Sequence, residues 1–166
     1  MNNHTVEDAP TEKLLADCML GKLAKWLRLL GYDTVYIHDA TDDELVRRAA
    51  QDGRTLLTKD YTLAGRRLLR GRCLLVTEEG TRAQLRQVVR DLALKVEDSR
   101  FLTRCPVCNR RIQDAPKESV REDVPPYVYR TQGRFGRCGE CGRVYWRGTH
   151  VEHVLEALAT QQHKGR

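Results

Sequence analysis

The chain has 166 residues, 40% hydrophobic and 31% charged, with a formal net charge of +6; that length supports one core, or one core plus a small appended module. No apolar run approaches the roughly 20 residues needed to cross a membrane. The N-terminal MNNHTVEDAPTEK has neither the basic nor the apolar stretch of a secretion signal, so a cytoplasmic location without disulfides is expected.

Residues 1–13 read as a polar leader. Leu14–Asp17 is a short apolar strand ending in an acid. Residues 19–30 read as a helix with Leu20, Leu23, Leu27 and Leu30 on one face, closed by Gly31. Val35–Ile37 is a second strand, ending near His38 and Asp39. Thr41-Asp42-Asp43-Glu44 has capping-box spacing ahead of Leu45, Val46, Ala49 and Ala50, and Gly53 closes that helix. Thr55–Thr58 is a third strand, running into Lys59-Asp60. One helix is expected from Leu63 to Gly71, then a strand over Cys73–Thr77 and an amphipathic helix over Thr81–Leu94. Strands alternating with helices over residues 14–98 imply a mostly parallel sheet flanked by helices. Residues 99–150 change texture, toward Cys, Gly, Pro, Arg and aromatics, and imply short strands and tight turns with a hairpin insertion around Pro125-Pro126. Thr149-His150-Val151-Glu152 repeats capping-box spacing and opens a last helix in the segment 151–166.

Four of the six cysteines form two CxxC pairs, Cys105/Cys108 and Cys138/Cys141. In a reducing compartment, four thiolates in that pattern suit a tetrahedral structural Zn2+. Asn109 and Gly142, just past each pair, suit tight turns whose backbone N–H groups point at sulfur. A redox dithiol would need only one pair, and His150 and His153 stand nearby as spare ligands. Cys18 and Cys73 read as buried small hydrophobes. The charge excess is local: residues 100–150 hold 11 Lys/Arg against 5 Asp/Glu, whereas residues 1–99 are balanced at 16 of each. Six of the ten aromatics lie in the same segment. Arg134, Arg137, Arg143 and Arg147 are therefore expected to form a basic face for a polyanion, with one of Tyr145 and Trp146 facing inward and the other outward.

Ligand sites in open parallel sheets lie at the carboxyl ends of the strands. Asp17, Asp39 and Asp60 fall at three such ends, with Asp42 and Asp43 at the following helix start. Oxygen-only ligands of this kind favour Mg2+ or Mn2+ and metal-assisted phosphodiester hydrolysis. The same acids also have ordinary readings: Asp60 as a helix N-cap, Asp42 and Asp43 as complements to a helix dipole, Asp39 as a turn residue. Both readings stand on the pattern alone.

Asp17-Cys-Met-Leu-Gly-Lys-Leu-Ala-Lys-Trp-Leu-Arg-Leu-Leu-Gly-Tyr-Asp33 resembles the opening motif of the Mut-seven C-terminal RNase domain family, a PIN-like nuclease fused to a zinc ribbon. Leu56-Leu57-Thr58-Lys59-Asp60 is similar to the family's third-strand motif, in which Arg often replaces Lys59. Asp42-Asp43-Glu44-Leu45 resembles its second acidic motif. Cys138-Gly-Glu-Cys141-Gly-Arg-Val-Tyr-Trp146, followed by Gly148-Thr149-His150, resembles its distal knuckle. The likeness runs from about Leu14 to Leu158. It implies a PIN-like domain over 14–98, a zinc ribbon over 99–150, and metal-dependent RNA cleavage. Carried over by position, Asp17, Asp42 and Asp60 are the catalytic Mg2+ or Mn2+ ligands, with Asp43 as fallback; the fourth acid that PIN-like nucleases often use has no matched position, and Glu78 and Glu79, after the fourth strand, are the nearest candidates. Lys22 and Arg28 on the first helix, with Lys25 between them, fit contacts to phosphate. The expected partner is single-stranded RNA. Two alternatives keep the fold: a non-catalytic RNA- or ribosome-associated binding protein, and a protein-interaction adaptor whose ribbon is a scaffold.

Overall fold

Leu14-Leu15-Ala16 and Thr55-Leu56-Leu57-Thr58 are continuous runs with no polar alternation, the pattern of strands covered on both faces. In the computed structural model, which describes residues 12–159, they form β1 (Leu14–Ala16) and β3 (Thr55–Thr58), and every residue of both is buried. With β2 (Thr34–Tyr36) and β4 (Cys73–Leu75) they make a parallel sheet in the order β2-β1-β3-β4. Leu15 pairs with Val35 on one side and Leu56 on the other, and Leu57 pairs with Leu74. The α/β architecture expected from the sequence is thus borne out.

The two-residue period of the strands divides the core. Leu14, Ala16 and Leu57 face Leu23 and Leu27 of α1 (Gly21–Leu29) and Leu85 and Val88 of α4 (Thr81–Asp91). Leu15 and Leu56 face Leu45, Val46 and Ala49 of α2 (Asp42–Asp52), together with Leu63 of α3 (Tyr61–Ala64) and Leu69. The capping box of α2 forms as expected. Thr41 Oγ1 accepts from Glu44 N–H, Glu44 reaches back to Thr41 N–H, and Gly53 ends the helix at φ 61°.

The helix expected from Leu63 to Gly71 is not continuous. α3 stops at Ala64, where Gly65 caps it, and a separate 3-10 turn covers Arg67–Leu69. The break shifts the buried position by one residue, so Leu69 is buried and Leu68 is 76% exposed. Cys18, expected inside, is exposed in a 3-10 turn ahead of α1.

The cysteine-bearing segment forms an antiparallel sheet, β5 (Ile112–Ala115), β6 (Phe135–Cys138) and β7 (Val144–Tyr145). The insertion between β5 and β6 is helical rather than a hairpin. Pro126 occupies the first turn of α5 (Pro126–Thr131), where its missing N–H costs nothing and its fixed φ suits the helix. The core here is small: Val120, Val124 and Phe135, flanked by Tyr129, Val144 and Trp146. The chain then returns to the first sheet. α6 (Thr149–Ala159) starts at the residue expected to cap it, one position earlier than expected, since Val151 N–H already bonds the Gly148 carbonyl. Its Val154 enters the core of Leu23, Leu27, Leu85 and Val88. Gly31 locks the way into the ribbon. At φ 88° it turns the chain after α1, and a β-carbon there would lie 2.5 Å from the Arg100 carbonyl oxygen.

Candidate active site and metal centre

The two CxxC turns are built alike. Asn109 N–H bonds the Cys105 carbonyl and Gly142 N–H the Cys138 carbonyl, each at 2.9 Å. Asn109 (φ 65°) and Gly142 (φ 72°) supply the left-handed residue that closes each turn. The four sulfurs lie within 4.8 Å of one another. The Sγ–Sγ distances of 3.6 Å for Cys105–Cys141 and 3.4 Å for Cys108–Cys138 are far too long for disulfides. They approach the tetrahedron edge of about 3.8 Å that Zn–S bonds near 2.3 Å require. The backbone N–H of Arg143 draws the Cys141 thiol down to about 6, and its guanidinium adds to the effect. Burial pushes the Cys108 thiol the other way, up to about 12, so it is the spacing of the four sulfurs that makes the set fit to hold a zinc ion. Tyr145 Oη lies 3.0 Å from Cys105 Sγ, a contact that the spacing of the cysteines does not announce. His150 and His153 are exposed on α6 and do not join the group.

Arg28 does not face solvent. It is 6% exposed and donates Nε–H to the Thr34 carbonyl at 2.8 Å, while Nη1 reaches the carbonyls of Pro106 and Val107 at 2.9 and 3.0 Å. The residue expected to meet phosphate instead fastens the first CxxC turn to the end of α1 and β2. Asn109 adds to this joint, accepting from Thr34 N–H and donating to Asp33 Oδ1 at 2.7 Å. Asp33 also pairs with Arg54 at 3.0 Å, and Arg104 lies 3.8 Å from it. Burial would raise the Asp33 carboxyl, but Arg54 and Asn109 hold it below its ordinary value.

Because β1 to β4 are parallel, their carboxyl ends share one edge. Asp17 follows β1 there and is 5% exposed. Its Oδ2 accepts from Thr58 Oγ1 at 2.5 Å and from Lys59 N–H at 3.3 Å, and its Oδ1 from Met19 N–H at 3.0 Å. Thr58 Oγ1 in turn accepts from the backbone N–H of Asp60 at 3.0 Å, so one hydroxyl bonds the Asp17 carboxylate and the main chain at residue 60. Asp60 is exposed and caps α3 through Leu63 N–H, the ordinary role open to it from sequence. Asp42 is the first residue of α2, half-exposed, 4.0 Å from Arg66; Asp43 takes Arg66 Nη1 at 2.5 Å. Glu79 pairs with Lys59 at 2.5 Å. The acids thus stand around one edge, but they are not drawn into a closed ligand group. Among the described residues the cysteine quartet is the only group of three or more potential ligands that close together. Thr58, Lys59 and Arg66 organise the edge. Thr58 and Lys59 lie inside the third-strand motif, whereas nothing local marks Arg66.

The expected four-arginine face is also reduced. Arg137 is spent on Asp123 (2.6 Å) and Arg147 on Asp98 (2.5 Å), while Arg143 donates to the Cys141 sulfur. Arg134 is exposed without a protein partner among the described residues. Of the first-helix cations, Lys22 and Lys25 are exposed.

The family model for the Mut7-C RNAse domain matches residues 12–158. The chain belongs to the Mut7-C RNAse domain family. No curated protein and no solved structure matches it. Membership in this family carries a nuclease-type function with RNA as the partner, and it spans both the sheet edge bearing Asp17 and the four-cysteine centre. Among the described residues, no helix is long and apolar enough to cross a membrane.

Proposed function

We propose that this protein is a metal-dependent ribonuclease that hydrolyses phosphodiesters of single-stranded RNA at the carboxyl edge of the β1–β4 sheet. The observation that carries the reading is Asp17, a buried carboxylate held by Thr58 Oγ1, the same hydroxyl that accepts from the backbone N–H of the exposed Asp60. A carboxylate fixed there by three hydrogen bonds, one of them from a hydroxyl, is positioned rather than merely solvated. Those bonds use three of the roughly four lone-pair positions of a carboxylate, which leaves room for a cation.

Asp17, Asp42 and Asp60 would hold Mg2+ or Mn2+, for which an all-oxygen set is suited. Such an ion, when bound, supplies an activated water and stabilises the leaving oxygen. Thr58 fixes the carboxylate of Asp17, and Lys22, on the first turn of α1, offers a positive charge to the scissile strand. Asp42 must turn from Arg66, which keeps its closer pair with Asp43. The four cysteines would hold Zn2+ and keep the ribbon folded, as a second RNA-binding element presenting Arg134. A cytoplasmic location agrees with four thiols kept reduced.

The ion pairs Arg66–Asp43 and Lys59–Glu79 favour a second reading, a non-catalytic RNA-binding protein in which protein cations have replaced the metal. Cleavage of labelled structured and unstructured RNAs separates the two, with Mg2+, Mn2+ or no divalent ion added. We expect divalent-dependent cleavage of the unstructured RNA. Asp17→Asn should lower it at least about 100-fold, the scale of losing one group that acts on transition-state charge, with zinc content and circular dichroism unchanged. Tight RNA binding without cleavage under any of these conditions would establish the non-catalytic reading instead.

A further inference from the structure

A cleft of about 760 Å³ lies where α1, the strand β7 and α6 meet. Its walls come from both parts of the molecule: Lys22, Lys25 and Trp26 from α1, Tyr145 and Trp146 from the end of the ribbon, and His150 from the start of α6. Lys22, Lys25 and Trp26 stand three and four residues apart, on the side of α1 turned away from the buried Leu23, Ala24 and Leu27. Gly148 shapes the opposite wall. A β-carbon there would lie 2.9 Å from Trp146 Nε1, so the glycine lets the indole lie against the chain. The size is that of a small-ligand pocket.

Two features identify the occupant. No carboxylate is among the lining residues. Lys22 and Lys25 have no ion-pair partner among the described residues, whereas Lys59, Arg66, Arg137 and Arg147 are each paired with an acid. The cleft therefore joins unneutralised cations to aromatic and aliphatic surface. A nucleotide has that same division, an anionic phosphate and an apolar base face, and aromatic side chains stack unpaired bases whatever their sequence. We propose that this cleft is a subsite for an unpaired nucleotide of the RNA, with the base against Trp26 and Trp146 and the adjoining phosphate on Lys22 and Lys25. The proposal rests on RNA being the partner of this chain. It predicts a preference for single strands, since a paired base cannot enter.

The protein has two tryptophans, and both line the cleft. Intrinsic fluorescence therefore reports on it in the unmodified full chain. A single-stranded RNA of roughly 10 nucleotides is titrated without added Mg2+ or Mn2+, with binding followed separately by anisotropy of an end label. We expect saturable tryptophan quenching that coincides with the anisotropy change, and none with a duplex of equal length. Lys22→Ala with Lys25→Ala should flatten the log–log salt slope by about 0.7, the loss of one phosphate contact. The same pair should weaken binding at low salt about tenfold or more. Anisotropy binding without quenching, equal quenching by duplex, or a wild-type salt slope in the double variant would overturn the subsite while the ribonuclease reading stands. Neither binding nor cleavage of any RNA would overturn both. The wild-type quenching test needs no variant to fold.

Discussion

The two sites of this molecule are assembled in opposite ways. The four cysteines come as two pairs, each pair set by a local turn, so only two turns must meet. The sheet-edge acids come singly, from three different strand ends and helix starts. The cysteine quartet closes to within 4.8 Å, while the acids turn to other partners: Asp17 to a hydroxyl, Asp60 to a helix N-terminus, Asp43 to an arginine. Carboxylates repel one another and turn to the nearest donor. The fold thus closes the cysteine group by itself and leaves the acids apart.

The largest effect expected on that comparison comes from the thiols. Cys138→Ser should release zinc and unfold residues 100–150 while β1 to β4 remain folded, because three buried ribbon residues make too small a core alone. Apparent zinc contributions of about 10–16 kcal/mol in small domains set the scale. Metal analysis with amide exchange tests it, and uniform exchange protection in the variant would refute it.

The joint between the two parts comes next. Arg28→Ala leaves the carbonyls of Thr34, Pro106 and Val107 without their donor, and should cost about 3 kcal/mol in urea unfolding. RNA affinity, after correction for the unfolded fraction, should not change; a selective loss of affinity at full stability would return Arg28 to the substrate surface.

Acid should loosen the same joint by a smaller amount. The carboxyl of Asp33 is held below its ordinary 3.8 in the folded protein. Its stabilising contribution is therefore complete above about pH 4 and is lost as pH falls through the lower folded value. Urea midpoints should drop more steeply in wild type than in Asp33→Asn between about pH 5 and 3. Parallel curves would show that the pairing with Arg54 and Asn109 contributes no pH dependence.

The smallest effect on stability concerns Arg66. Being partly exposed, its pairs with Asp42 and Asp43 are worth under about 1 kcal/mol. Arg66→Ala should leave the unfolding midpoint nearly unchanged yet tighten Mn2+ binding, measured by calorimetry, since the competing cation is gone. Unchanged Mn2+ affinity would mean that Asp42 and Asp43 do not belong to the metal site.

The amino-acid sequence by itself determined the features whose causes are local. Continuous apolar runs made β1 and β3, the Thr41–Glu44 capping box started α2, and the CxxC spacings with Asn109 and Gly142 made the two knuckles. Each depends on residues within a few positions of one another. Tertiary structure decided the rest. Arg28 looks like any exposed helix cation until the Pro106 and Val107 carbonyls, 78 and 79 positions away, are brought against it. The pairing of Arg147 with Asp98, the helical insertion at Pro126, and the return of Val154 to the first core are of the same kind. A charged or amphipathic residue has no fixed fate of its own. Whether it meets water, a carbonyl or an opposite charge depends on which distant segment the hydrophobic core brings beside it.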